Sequence, residues 1–470
     1  MARGCKGLFH LIKRDRHGIN KFFLGRGRTE IFWQTLLGVS MSENSLGSKK
    51  TIAAFAVGNA LEWYDFLVYA LLISTISRLF FPAGNDFVSL LLAFGTFAVP
   101  YIVRPLGGLV FGAYADVYGR KKALTVTFLC MAFATTALAF LPTYEAAGVL
   151  APILLVALRL VQGFSAGGEF GSATAALIEA APPHRKAFVC SIQMATQALA
   201  VLVAAILILV LTKSMTPETF ETWGWRVPFL VGALLCPIGL YIRSKVHETV
   251  EFERARRSEK VSLQKPIEEL AIGHWKLFLS VVLLFAAVTG PNYINTVYLP
   301  SIVTEFYDLE RPDAILGVLV AAIVILFSTT FFGWLADRIG AKRVAIGGLI
   351  SGIVVYTAVY LIFVSYPTKG TYILLQALYA IPYSAVIGGA CLIAMERFPV
   401  LVRATGGGTS YNIATIVFGG MTPFWLLALT PVIGSYGPLV YFVLLALVGL
   451  YAITVGDQAH RARDVTEATA

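Results

Sequence analysis

Charged side chains are scarce in this sequence. Only 14% of its 470 residues are Asp, Glu, Lys or Arg, whereas a soluble domain contains about 25%. Hydrophobic residues make up 57% of the chain. This composition excludes an ordinary soluble domain.

Cysteine is also sparse and has no pattern. The five cysteines are scattered singly, at Cys5, Cys130, Cys190, Cys236 and Cys391. Isolated cysteines do not make a disulfide framework, and none has the spacing of a metal site. The sequence therefore predicts reduced packing residues and no bound metal.

What the chain has instead is hydrophobic runs of about 20 residues, the length of a transmembrane helix. We predict twelve, at 52–76, 87–112, 122–141, 150–178, 187–211, 226–243, 276–300, 313–335, 342–364, 370–395, 405–429 and 436–456. Of the 37 lysines and arginines, 30 lie in segments that this topology makes cytoplasmic and five in external loops. That bias follows the positive-inside rule with both termini cytoplasmic. The prediction is a multi-pass, all-α protein of the inner membrane whose basic residues set topology and do not bind nucleic acid.

One enzyme motif has to be weighed. Gly163–Gly167 matches G-x-S-x-G, the nucleophile elbow of serine hydrolases, which requires a strand-to-helix turn. Here the motif lies in the middle of a predicted helix, and all six histidines fall outside the spans or at their edges. We therefore predict that the protein is not an enzyme.

The N-terminal segment, residues 1–50, is basic and lacks the uninterrupted hydrophobic core of a signal peptide. One interpretation is an amphipathic arm on the membrane surface. The other, which we favour slightly, is that the natural start is Met41 and that residues 1–40 are an upstream extension.

Two landmarks recur at a nearly constant offset. A short glycine-rich loop follows the second span, and FFGWLADRIGAKR repeats its pattern, with Asp337 placed 221 residues after Asp116. Glu396 follows Glu179 by 217 residues. This repeat predicts two six-helix halves, 51–243 and 276–456, joined by a charged cytoplasmic loop at 244–275 and followed by a tail at 457–470. The predicted gating residues of the two loops are Gly112, Asp116, Gly119, Arg120, Gly333, Asp337, Arg338, Gly340 and Arg343.

Several charged residues lie inside predicted spans. An intramembrane charge costs about 2.5–3.5 kcal/mol on insertion scales, so it is kept where it acts or is paired. Glu62 and Asp65 are three residues apart and share a helix face, where two carboxyl groups cannot both ionise easily. That is the condition for a proton carrier; the alternative is structural neutralisation by Arg104 or Arg159. Glu169 either joins a proton pathway or packs beside the close-packing glycines Gly163, Gly167 and Gly171.

The two halves, the central loop and the duplicated loop motif resemble the major facilitator superfamily. Within residues 51–456, the motifs GNALEWYDF, RPLGGLVFG, RLVQGFSAGGEFGSA, WGWRVPF and RATGGGTSYN resemble the metabolite:proton symporter family. Members of that family transport α-ketoglutarate, citrate, shikimate and other carboxylates, or proline and betaine. The resemblance implies the major facilitator fold, a monomer, no cofactor beyond the proton gradient, and a cavity between the halves that opens alternately to each side.

The resemblance also points to site residues. Arg159 and Gln162 match the fourth-helix motif to which proton coupling is usually ascribed in the superfamily. Taken alone, a guanidinium at position 159 suits a carboxylate, either of the substrate or of Asp65, and a permanent structural ion pair is the alternative. The candidate substrate-binding residues are polar side chains at depth in the spans: Arg104, Arg159, Gln162, Gln193, Gln197, Asn292, Tyr293, Asn295, Tyr379, Tyr383 and Asn412. Any single one is as well explained as an interhelical hydrogen bond, worth about 0.6 kcal/mol on average.

The sequence therefore predicts a proton-coupled symporter that imports a small organic acid anion, such as a di- or tricarboxylate. Protonation at Glu62 and Asp65 would release an arginine for the substrate, and Asp116 and Asp337 would hold the cytoplasmic loops together. Two alternatives stay open: a proline or betaine symporter, and a transporter-like receptor that binds without net flux.

Overall fold

The computed structural model describes residues 59–60, 63–118, 120–167, 170–171, 174, 177–178, 181–244, 275–398 and 400–469. Within these ranges it describes side chains except at 109, 112–124, 235, 238–244, 400–404 and 457–469. The predicted extension at 1–50 and nearly all of the central loop at 244–275 lie outside the described residues.

The described chain is a succession of helices that follow the twelve predicted hydrophobic runs in order. The first part contains α1 (Trp63–Leu71), α2 (Ile73–Phe80), α3 (Asp86–Tyr118), α4 (Arg120–Ala139), α5 (Leu150–Ala166), α6 (Lys186–Ser214) and α7 (Val227–Ser244). The second part contains α8 (Trp275–Phe306), α9 (Arg311–Ile339), α10 (Ala341–Ser365), α11 (Lys369–Glu396), α12 (Val400–Thr415), α13 (Thr422–Ile433) and α14 (Gly437–Thr469).

Many of these helices are long and apolar enough to cross a bilayer. Among the described residues, seven helical stretches meet that condition, or eight when the bent pair α1–α2 is counted as one span. One of the seven, Thr405–Gly456, runs through two of the predicted spans. The prediction of an all-α, multi-pass membrane protein is confirmed.

The helices are interrupted at places that hydropathy does not reveal. Between α1 and α2 the first span bends by 65° and then continues to Phe80, beyond its predicted end at residue 76. After the bend, within α2, Ser77 Oγ donates to the carbonyl oxygen of Ser74 at 2.8 Å. Turns of π-helix occur at Ile294–Tyr298 within α8 and at Ile416–Gly420 before α13, a distortion often found at functional sites.

Glycines determine how closely α3 and α5 approach. A Cβ atom added to Gly163 would overlap the backbone of Pro100, and one added to Gly167 would overlap the carbonyl oxygen of Arg104. The predicted role of Gly163 and Gly167 in close packing is thus confirmed. Gly171 faces α12 instead, where a Cβ on Gly408 would lie 2.9 Å from the Gly171 Cα atom.

The two parts of the described chain meet along several helices. Helix α6 packs lengthwise on α9, and α3 packs on α12 and α13. Within the first part α3 packs on α5 and α4 on α7, whereas within the second α10 packs on α11 and α8 on α14. The candidate site lies along this seam between the two parts.

Candidate functional site

Asp65 is a buried carboxyl group on α1, with 4% of its surface exposed. Thr135 on α4 donates a hydrogen bond to Asp65 Oδ2 at 2.7 Å. On the opposite side α7 approaches through Gly232, where an added Cβ atom would lie 2.6 Å from Asp65 Oδ1. Three helices therefore enclose this carboxyl. Its predicted partner Glu62 lies outside the described residues, as does Glu169.

Arg159 on α5 is fully buried and reaches Asp65 only through intermediates. Its Nη1 donates to Gln162 Oε1 at 2.9 Å, and Gln162 Nε2 donates to Thr135 Oγ1 at 3.0 Å. With the bond from Thr135 to Asp65, these contacts make a continuous chain of three hydrogen bonds. Among the described residues no direct ion pair joins Arg159 to Asp65, so the direct pairing considered from the sequence is replaced by a relay.

Aromatic rings surround the Arg159 guanidinium. Its Cζ atom lies 4.2 Å from the centre of the Tyr69 ring and 5.3 Å from that of Phe66. Arg104 lies near the same Phe66 ring, with its Cζ atom at 5.4 Å. Cation–π attraction of this kind partly compensates for lost hydration. Arg159 Nε nevertheless has no hydrogen-bond partner in the described part of the chain.

A small cavity lies where the two parts of the chain meet. Trp63 and Gln197 line it from the first part, and Asn292, Tyr293 and Tyr383 line it from the second. Four predicted substrate-binding residues, Gln197, Asn292, Tyr293 and Tyr383, are thus brought together around one space. Gln197 Nε2 is buried without a hydrogen-bond partner among the described residues, which leaves a donor available to a ligand.

A hydrogen bond connects this cavity wall to the arginines. Tyr293 OH on α8 donates to Tyr101 OH on α3 at 2.8 Å, and the Tyr101 ring lies 5.7 Å from the Arg104 Cζ atom. The predicted anion-binding and cavity-lining groups therefore belong to one connected region.

Other predicted binding residues make hydrogen bonds to protein groups, either between helices or within one helix. Gln193 Oε1 accepts from Thr174 at 3.0 Å, and Asn412 Nδ2 donates to the carbonyl oxygen of Gly167 at 3.2 Å. Asn295 donates to the carbonyl oxygen of Pro291 at 2.8 Å within its own helix. These three, together with the buried Tyr379, are not among the residues that line the cavity. Their role in substrate binding stays a prediction.

Sequence reasoning missed several residues of this region. Thr135, Tyr69, Tyr101 and Trp63 were not singled out, although each contacts a predicted site residue or lines the cavity. Trp63 and Tyr101 lie inside or beside motifs quoted above, and that position was the signal available for them. Thr135 had no such signal.

The second copy of the loop motif joins the two parts of the chain. Asp337 Oδ1 and Oδ2 accept from the backbone N–H groups of Ala187 and Phe188 at 2.9 and 3.0 Å. These groups are the free donors at the N-terminus of α6, where the helix dipole favours an anion. Beside them, Lys186 pairs with Glu396 at 3.0 Å.

The other members of the second copy of the motif make different contacts. Gly340 has a φ of 101°, a backbone conformation that favours glycine. Arg338 lies over the Trp334 ring at 4.0 Å, and Gly333 meets Ser191 of α6. In the first copy of the motif, Gly119 lies outside the described residues. At Gly112, Asp116 and Arg120 the structure describes the backbone helix only.

Charged residues close the opposite, predicted external, end of the seam. Arg78 Nη2 pairs with Glu221 at 2.7 Å, and Arg78 Nη1 pairs with Glu305 at 3.1 Å. Arg78 and Glu221 belong to the first part of the chain and Glu305 to the second. The two parts of the chain are therefore bridged at both ends of the seam, and the cavity lies along the same seam.

The described residues thus form a membrane protein with a small cavity between its two helical parts, lined by polar and aromatic side chains and connected through Tyr293 and Tyr101 to buried arginines. The family model described as Major Facilitator Superfamily matches residues 55–423. The chain belongs to this superfamily, as the repeat and the loop motif predicted.

Curated relatives with similar sequences indicate which kind of transporter within the superfamily the chain resembles. The chain is 34% identical over 366 residues to a citrate-proton symporter of Klebsiella pneumoniae, covering 78% of this chain and 82% of that protein. It is 32% identical to the shikimate transporter of Escherichia coli, covering 84% and 91%, and 30% identical to a proline/betaine transporter of Salmonella typhimurium, covering 88% and 84%. The predicted membership among metabolite:proton symporters is confirmed.

Solved structures share the fold at low identity. The proton:xylose symporter XylE with bound 6-bromo-6-deoxy-D-glucose aligns with a TM-score of 0.70 and 16% identity, covering 87% of this chain and 96% of that one. A second structure, described as a D-xylose-proton symporter, aligns with a TM-score of 0.68 and 17% identity, covering 86% and 96%. The major facilitator fold is confirmed.

Proposed function

We propose that this protein imports a small organic acid anion, such as a di- or tricarboxylate, by symport with protons and alternating access. The proposal includes cytoplasmic termini, a monomeric transporter and no cofactor other than the proton gradient. The relatives named for citrate and shikimate, both carboxylic acids, support this substrate class.

The observation that supports it most directly is the state of Arg159. A buried charge without a paired counter-charge is costly. Among the described residues this guanidinium has neutral hydrogen-bond partners, aromatic neighbours and one unused N–H group. A substrate carboxylate would supply the missing negative charge and a charge-assisted hydrogen bond. Arg104, which shares the Phe66 ring, is positioned for a second carboxylate.

A second candidate substrate class is a zwitterion such as proline or betaine. Trp63, Phe285, Tyr293, Tyr383 and Tyr411 all line the cavity, and aromatic rings bind quaternary ammonium groups through cation–π attraction. In that case Arg159 would still take the carboxylate, and the rings would take the cation.

The test is uptake of labelled α-ketoglutarate, citrate, shikimate, proline and betaine into proteoliposomes, with and without an inward proton gradient. We expect accumulation of one or more of the acids, abolished by a protonophore and lost in Arg159→Ala. Lys213→Ala removes an exposed cation and serves as the matched control, with uptake unchanged. Uptake of proline or betaine alone would favour the second candidate. Binding of any of these compounds without net flux would make the protein a receptor.

A further inference from the structure

We propose that Thr135 is a positioning residue that transmits the protonation state of Asp65 to Arg159 through Gln162. The inference rests on the proposed proton-coupled transport and adds a residue that no motif assigns. It is carried by the relay of hydrogen bonds across α1, α4 and α5, which replaces a direct ion pair.

With Asp65 ionised, the chemistry of the groups fixes the direction of every bond in the relay. Arg159 and the amide nitrogen of Gln162 can only donate, whereas Gln162 Oε1 and an ionised carboxylate can only accept. Arg159 therefore donates to Gln162 and Gln162 donates to Thr135, so the single hydroxyl hydrogen of Thr135 points to Asp65. In this ionised state all three donors are oriented toward the carboxylate.

Protonation of Asp65 removes the charge that orders this relay. A hydrogen bond to an ionised acceptor is roughly twice as strong as a neutral one, and bonds in a chain polarise one another. Once Asp65 Oδ2 carries a proton it needs an acceptor, so the Thr135 hydroxyl has to turn its own hydrogen elsewhere. In a helix the acceptor available to a threonine is the carbonyl one turn back. The Thr135 oxygen then accepts from both Asp65 and Gln162, and the bond from Gln162 is weakened because the hydroxyl is no longer polarised by a charged acceptor. The contact between Gln162 and Arg159 is weakened in turn, which favours an exchange of this neutral partner for a substrate carboxylate.

The other described groups near Asp65 do not connect it to Gln162 by hydrogen bonds. Arg159 acts on Asp65 from α5 through space, and Cys236 faces it from α7. Cys236 donates to the carbonyl oxygen of Gly232, and Tyr64, on the same helix as Asp65, donates to the carbonyl oxygen of Pro228 at 2.9 Å. Arg104 on α3 lies with its Cζ atom 5.4 Å from the centre of the Phe66 ring. Among the described residues, Thr135 alone hydrogen-bonds with both Asp65 and Gln162.

The test compares Thr135→Val, which keeps the shape and removes the hydroxyl, with Thr135→Ser, which keeps the hydroxyl. Thr136→Val is the matched control, because the Thr136 hydroxyl donates only to the carbonyl oxygen of Ala132 at 2.7 Å. Two assays use labelled citrate and labelled shikimate in proteoliposomes. The first is accumulation driven by a proton gradient over a range of external pH, and the second is counterflow without a gradient.

For Thr135→Val we expect a loss of gradient-driven accumulation of about tenfold or more, as for a lost hydrogen bond to a charged group. Its pH profile should be flattened, and counterflow should stay within about twofold of wild type. Thr135→Ser and Thr136→Val should retain the wild-type pH profile. Wild-type accumulation and pH dependence in Thr135→Val would overturn the inference, and so would an equal loss of counterflow and accumulation in both Thr135 variants. If wild-type protein moves neither probe under any gradient, it is the proposed function that fails.

Discussion

Asp65→Asn removes the charge of the carboxylate but keeps a side-chain oxygen that can accept from Thr135. This variant cannot bind or release a proton. In wild type we expect uptake to increase as the external pH falls, because more carriers are protonated on that side. In the variant we expect uptake that is independent of pH and accumulation that stops at equilibrium, with counterflow preserved.

Proteoliposome uptake at a series of external pH values measures this difference. Asp86→Asn is the control, because Asp86 is an exposed acid at the start of α3 and its loss should leave the profile unchanged. Full, pH-dependent accumulation in Asp65→Asn would remove Asp65 from the proton pathway.

Individual residues also show where sequence reasoning reaches its limit. Asp65 and Arg159 could be predicted because a charge inside an apolar span needs a reason to be there, and Gln162 because it belongs to the fourth-helix motif. Thr135 could not, because a threonine in an apolar helix usually bonds its own backbone, as Thr136 does. The difference between these adjacent threonines depends on which one faces α1, and that is a property of the tertiary packing.

At the scale of helices, the contact between α3 and α5 depends on the absence of side chains. Gly163→Ala would place a methyl group on the Pro100 backbone, and forcing a methyl group into a packed core costs about 1–3 kcal/mol. We therefore expect a lower thermal unfolding midpoint for purified Gly163→Ala protein in detergent. Gly347→Ala on α10 is the control, because its Cβ would have no neighbour within 4 Å. A midpoint for Gly163→Ala equal to that of the control would contradict the proposed close approach.

The existence and order of the helices were predictable because hydrophobic length and the distribution of basic residues identify membrane spans. The breaks within them were not. The bend between α1 and α2 and the π-helical turn at Ile294–Tyr298 depend on local hydrogen bonding that an apolar run does not reveal. Asn292 and Asn295 flank the start of that turn, and only Asn292 lines the cavity, so their spacing alone could not distinguish the two.

For the whole molecule, the Asp337 contact is predicted to control opening of the cytoplasmic face. Asp337→Ala removes two charge-assisted bonds to the start of α6, and a carboxylate at a helix N-terminus is worth up to about 2 kcal/mol. We expect this face to open more often, so that a cysteine at Ser191, buried under Gly333, reacts faster with N-ethylmaleimide. The measurement uses protein whose native cysteines are replaced by serine.

Asp313→Ala is the control for this labelling experiment. Asp313 pairs with Lys369 at 2.6 Å within the second part of the chain, so its loss leaves the contact between α6 and α9 intact. Equal labelling rates in Asp337→Ala and in the parent protein would show that the Asp337 contact does not hold the face closed.

The division into two rigid halves remains a prediction, and the Arg78 cluster offers a test of it. Arg78 pairs with Glu305 across the seam and with Glu221 on its own side. In a cysteine-free background, a short reducible cross-link between cysteines at positions 78 and 305 should lock the external face and reduce transport about tenfold or more, because alternating access requires that face to open. The same cross-link between positions 78 and 221 stays within one half, so transport should continue. Reductant should restore transport by the locked protein.

Unimpaired transport by the protein cross-linked between 78 and 305 would show that the two parts do not separate there. Inhibition by both cross-links would show that the cluster moves within a half.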